Sequence, residues 1–149
     1  MKKLKFESKI DMNLFAEIKK LNFPLDQYIV VGSGPIVARG LRMTNDVDIV
    51  VTPELFEKCK TDGWDQVPWT YEKVGQIYLK KGNAELYLDV NCKDFNPTFI
   101  ELRSRADIIQ GIPFASLEDT KQFKKAYGKS KHLKDIKLIE EYQRSDINI

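Results

Sequence analysis

Histidine occurs once in this chain of 149 residues, and cysteine twice. Such scarcity excludes the usual nucleophile pairs. The single histidine, His132, stands among lysines and reads as a surface residue, so neither a serine–histidine nor a cysteine–histidine couple is credible. Cys59 and Cys92 lie far apart without metal-ligand spacing, which predicts free thiols in a reducing compartment. No apolar run has the length of a membrane helix. The opening Met-Lys-Lys-Leu-Lys has the charge of a secretory leader, but Glu7, Lys9 and Asp11 interrupt any apolar run behind it, so a cytoplasmic protein is expected. Net charge is only +2, and no global field draws the chain to a polyanion. Internal repeats and low-complexity segments are lacking. What is present suits one soluble domain with one core, spanning residues 1–149.

The most informative stretch runs from Tyr28 to Val51. Tyr28–Val31 is a short, β-branched apolar run, which predicts a buried strand. Gly32-Ser33-Gly34 breaks it, and glycine there permits positive φ and close approach of a ligand. Pro35 suits the first turn of a helix, expected to reach about Leu41, whose free N–H groups favour phosphate. Arg39 and Arg42 are three apart and share a face. Asp46-Val47-Asp48-Ile49-Val50-Val51 then predicts a second strand. Alternation points Asp46 and Asp48 one way and Val47, Ile49 and Val51 into a core. The two carboxylates, roughly 6–7 Å apart at Cα, can clasp a divalent cation and repel each other without one.

Apolar-Gly32-Ser33, a helix-length spacer, then Arg42-x-Thr44-x-Asp46-x-Asp48 resembles the signature of the DNA polymerase beta-type nucleotidyltransferase superfamily. The resemblance implies a Gly-Ser turn against a nucleoside triphosphate, paired acids holding two metal ions (Mg²⁺ or Mn²⁺), and a third acid from a nearby strand. Two other readings exist for the stretch. One is a dinucleotide-binding turn, G-x-G-x-x-G, but Val37 occupies the third glycine position and the acids begin the second strand instead of ending it. The other is a loop with surface acids.

Along the rest of the chain, residues 1–10 are expected to be an extended lead-in. Asp11 or Asn13 caps a helix to Leu21, with Leu14, Phe15, Ile18 and Leu21 on its core side. Thr52-Pro53-Glu54 starts another helix that Gly63 stops, with Leu55, Phe56 and Cys59 inward. Trp64–Thr70 reads as a loop or an edge strand, since Pro68 argues against a central one. Trp69 and Tyr71 are suited to stack on a base or to pack at a sheet edge. Gln76–Lys80 and Glu85–Asn91 form a hairpin in this reading, with Leu86, Leu88 and Val90 on one side. Asp89 is then placed as the superfamily's third acid would be, and Glu85 is the weaker candidate. Cys92–Ile100 reads as a linker, and short strands are expected at Ala106–Ile109 and Ile112–Phe114. Ser116 caps a helix ending at Tyr127-Gly128, with Asp119 three residues later imitating a capping box. A last helix runs from Lys131 to Arg144. The expected fold is α/β of the α+β type, a small mixed twisted sheet with packed helices. Residues 28–91 form the core of the site and 115–144 the C-terminal helices.

The stretch Ser116–Ile136 resembles the C-terminal part of small bacterial nucleotidyltransferase-like proteins, including the abortive-infection toxin group. It implies that Lys121, Lys131 and Asp135 border the triphosphate, and it departs from the pattern at His132, where an acid is usual. Together the two resemblances imply an enzyme moving a nucleoside monophosphate to an acceptor hydroxyl on RNA such as tRNA, on a protein or on a small molecule. Asp46, Asp48 and Asp89 would hold the metals, while Gly32, Ser33, Arg42, Lys121 and Lys131 would meet the nucleotide. A nucleotide-binding module without turnover, or the toxin of a toxin–antitoxin pair with a partner protein, are the alternatives.

Overall fold

The computed structural model describes residues 13–70 and 73–147. The expected lead-in, the Asp11 cap and Tyr71 lie outside them. The described residues form an α+β fold of six helices and a seven-stranded mixed sheet. In chain order these are α1 (Leu14–Leu21), β1 (Tyr28–Val31), α2 (Gly34–Val37), β2 (Val47–Val51), α3 (Pro53–Thr61), β3 (Asp65–Pro68), β4 (Ile77–Lys81), β5 (Ala84–Tyr87), α4 (Phe99–Ser104), β6 (Asp107–Ile109), β7 (Ile112–Phe114), α5 (Leu117–Tyr127) and α6 (Leu133–Ile147). No helix among them is long and apolar enough to cross a membrane.

The strand order is β3-β4-β5-β2-β1-β7-β6. Antiparallel β1 and β2 sit near the middle, where Val31 faces Asp48 across the ladder. β5 joins β2 in parallel, and this register sets Asp48 beside Glu85. β3 lies at the edge, where Pro68 withholds no ladder hydrogen bond that a second neighbour would need.

Alternation divides the two faces. Val30, Val47, Ile49, Val51, Leu79 and Leu86 pack against Leu14 and Ile18 of α1 and Leu55, Phe56 and Cys59 of α3. Ile29, Val31 and Val50 face the other way, onto Leu102 of α4 and Ala115. A small third cluster of Ile36, Leu117 and Ile139 ties α2, α5 and α6 together. That cluster brings the C-terminal helices over the β1–β2 end of the sheet.

Caps explain most boundaries. Asn13 accepts from the Ala16 N–H, Thr52 from Leu55 and Ser116 from Asp119. The Asp119 carboxylate does not complete a capping box; it takes two hydrogen bonds from Arg105, at 2.9 and 3.1 Å. A full box is found instead at Thr98–Glu101, opening α4 inside the expected linker. α2 is one turn long, shorter than expected, because Arg39 folds back to donate to the Pro35 carbonyl and Gly40 turns the chain at φ +74°.

Candidate functional site

A cavity of about 610 Å³ opens over the Val31–Val50 face of the sheet, roofed by α5 and the start of α6. Gly32, Ser33, Arg42, Asp46, Asp48, Asp89 and Lys131 all line it; Lys121 does not. Its floor is acidic and its roof basic.

The floor begins with Asp48 on β2. Gly32, at φ +67°, carries the chain over this carboxylate so closely that a Cβ there would stand 2.6 Å from Asp48 Oδ2. Burial, then the charges of Glu85 and Asp46, push the Asp48 carboxyl up to about 7. Asp46 lies just before β2, exposed, with its N–H on Thr44 Oγ1 at 3.1 Å.

The third acid departs from expectation. β5 ends at Tyr87, so Asp89 lies beyond the ladder, and Leu88, expected on one side with Leu86, is exposed where Leu86 is buried. Asp89 Oδ1 is already engaged by Lys73 at 2.6 Å and by the Asn91 N–H at 3.0 Å. Glu85 is the acid paired with Asp48 across the β2–β5 ladder. It accepts from Lys80 at 3.2 Å and from the Tyr87 hydroxyl. Asp46, Asp48 and Asp89 therefore share a cavity without forming the expected three-acid cluster. Among the described residues no three His, Cys, Asp or Glu side chains are grouped closely enough to hold a metal ion.

The roof is built around Asp135, near the start of α6. Arg42 binds it through two nitrogens, at 2.6 and 2.8 Å, and donates to Ser33 Oγ at 2.6 Å. Lys124 of α5 reaches the same carboxylate at 3.0 Å, with both side chains buried. Burial works to raise Asp135, but these two cations hold it below the ordinary carboxylate range. The expected Lys121 is turned away, bonded to Gln143 at 2.9 Å and close to Glu118. Lys124, three residues on, occupies the place the sequence reading gave to Lys121.

His132 is buried against Tyr127, not on the surface. Its Nδ1 lies 3.4 Å from the Lys124 ammonium, which makes Nδ1 the acceptor and leaves the proton on Nε2. Burial, then Lys124 and Lys131, push this imidazole down to about 4. It therefore favours the fold while neutral, above its unfolded value near 6.5, and that contribution is lost as pH falls through about 4. His132→Phe removes this rise and leaves the opposing effect of the Asp48 carboxyl, so denaturation midpoints are expected to decline as pH goes from 4 to 7.

No protein-family model matches the chain, and no curated protein or solved structure matches it.

The chemistry of the cavity is thus read from its own groups. Hard oxygen donors on the floor fit a divalent cation such as Mg²⁺ or Mn²⁺, because Asp48, crowded by Glu85 and Asp46, is relieved by positive charge. Two protein carboxylates suffice where phosphate oxygens and water complete the shell. The guanidinium and ammonium groups opposite suit phosphate.

Proposed function

We propose that this protein is a nucleotidyltransferase, moving a nucleoside monophosphate from a nucleoside triphosphate to an acceptor hydroxyl. The observation that carries the reading is the division of one cavity into an acidic floor (Asp46, Asp48, Glu85) and a basic roof (Arg42, Lys124, Lys131). Phosphoryl transfer asks for such charge placement more than for a covalent nucleophile. Asp46 and Asp48 would hold the divalent cation, which neutralises the triphosphate and polarises its α-phosphorus. Arg42, with Ser33 at its tip, and Lys124 and Lys131 would hold the β- and γ-phosphates. The acceptor oxygen attacks the α-phosphorus, the bond from that phosphorus to the bridging oxygen breaks, and pyrophosphate leaves. Glu85 is the floor carboxylate free of that grip, and it would take the acceptor's proton. The acceptor class stays open among RNA, protein and small molecule.

Incubation with each labelled triphosphate and Mg²⁺ tests the proposal, with pyrophosphate release as the readout. Transfer by the wild type and none by an Asp46→Ala, Asp48→Ala double variant is expected. Lys124→Ala is expected to weaken triphosphate binding about 10-fold, or ~1.4 kcal/mol, and Lys121→Ala to change it less than about twofold. Mg²⁺-dependent binding with no pyrophosphate release would make the chain a nucleotide-binding module instead.

A further inference from the structure

Glu85 is the most firmly held carboxylate of the floor. Oε1 accepts from the Tyr87 hydroxyl, two residues along and on the same side of β5. Oε2 accepts from Lys80, its partner across the β4–β5 ladder, at 3.2 Å. The Tyr87 ring is wedged in turn. Its centroid lies 5.4 Å from Tyr78 and 5.8 Å from Trp69, and those two rings are 5.3 Å apart. Burial, then the neighbouring Asp48 and Glu85 charges, keep the phenol protonated, so it is the donor in this bond.

A glutamate left to itself samples several rotamers, and fixing one of them costs conformational entropy. Beside Asp48 it is also pushed away by like charge. A proton acceptor needs the reverse, one lone pair held toward the incoming hydroxyl. The bonds to Tyr87 and Lys80 supply that restraint from two sides, and the aromatic wedge keeps the Tyr87 hydroxyl from turning elsewhere.

We propose that Tyr87 is a positioning residue, held by Trp69 and Tyr78, that fixes the Glu85 carboxylate for proton transfer from the acceptor. This rests on the nucleotidyltransferase reading of the cavity. Lys73, seated over Trp69 at 5.5 Å and bonded to Asp89, steadies the outer side of the same wedge.

Tyr87→Phe keeps the ring and deletes the hydroxyl. It is expected to lower kcat roughly 10–100-fold, a part of the roughly 10²–10⁴-fold that general acid–base catalysis contributes. The Kd for Mg²⁺–triphosphate should stay within about twofold, because the basic roof is untouched. In a Glu85→Gln background, Tyr87→Phe should change kcat by less than about twofold, since a residue acting through Glu85 has nothing left to position. Glu85→Asp draws the carboxylate one methylene from the hydroxyl and should show the same loss of kcat at constant Kd. It carries the test if Tyr87→Phe does not fold. An unchanged kcat, or a full further loss in the Glu85→Gln background, overturns the role of Tyr87 alone. A wild type that transfers no nucleotide overturns the reading of the cavity and this role with it.

Discussion

Asp48→Asn is expected to abolish transfer and yet to stabilise the metal-free protein by about 2–4 kcal/mol above pH 7. The carboxyl stands at about 7 in the fold against 3.8 for the free group, so the folded chain holds a proton that the unfolded chain gives up. Stability from this group is present below its unfolded value and is lost as pH rises through about 7. Each pH unit of that window is worth about 1.4 kcal/mol at most, and relaxation around the ion lowers the total. Asparagine keeps the volume and removes the charge that Glu85 and Asp46 oppose. His132 acts in nearly the same window with the opposite sign, favouring the fold as pH rises from 4 toward 6.5. The wild type therefore shows a muted pH dependence between 4 and 7, the two contributions offsetting. Asp48→Asn lifts the mask, and its stability should climb with pH across that range. Urea unfolding at pH 5 and pH 8 in the presence of a chelator measures both effects. A loss of stability at pH 8 on removing the charge would mean that Asp48 is satisfied by groups of the chain itself and has no need of a cation. Residues kept at such a conformational disadvantage are a familiar mark of sites shaped for function over stability.

Much of the fold was legible from local signals. The Asp46–Val51 alternation, the β-branched run before Gly32 and the Ser116 and Gly128 caps are short-range features, and each is realised at or within a residue of the expected place. The choice among Glu85, Tyr87 and Asp89 was not legible, for a physical reason. All three share one parity on an extended chain, so alternation cannot separate them. What separates them is where β5 stops and how it registers against β2, a pairing between segments nearly forty residues apart. Lys121 and Lys124 pose the same problem on a helix, where residues three apart lie on neighbouring ground. The buried positions of α5 are Leu117, Asp119, Thr120 and Lys124, and 117, 120 and 124 form a helical stripe that a search for apolar residues passes over because it ends in a lysine. His132 was misplaced because a turn of 3₁₀ helix, Ser130–His132, lays it onto Tyr127 ahead of α6. The Thr98–Glu101 box, by contrast, was there to be read behind Asn96-Pro97.

Asp135→Ala is expected to be the most damaging single change to the fold, at about 3–5 kcal/mol, because it strands a buried cation. Lys124 is 3% exposed and has Asp135 as its charge partner at 3.0 Å. Burial already works to lower its affinity for a proton, and Asp135 is the chief group opposing that, with a smaller contribution from Asp48. Arg42, a third exposed, loses two hydrogen bonds but keeps its reach to Ser33 and to the Met43 carbonyl. The loss corresponds to a fall in Tm of roughly 10–15 °C for a chain of this size. Removing Lys124 as well, in Asp135→Leu with Lys124→Met, should recover about 1–3 kcal/mol, since an apolar pair of similar volume carries no desolvation penalty. The single variants then fail additivity, as groups in one network do. The same geometry predicts a ligand effect. With the carboxylate gone, Arg42 and Lys124 form a cleft for an anion, and pyrophosphate should raise the Tm of Asp135→Ala by more than it raises that of the wild type. A smaller rise in the variant would mean that Asp135 holds the two cations in the only arrangement that phosphate can use, so that the carboxylate is a template for the basic roof and not a stand-in for the ligand.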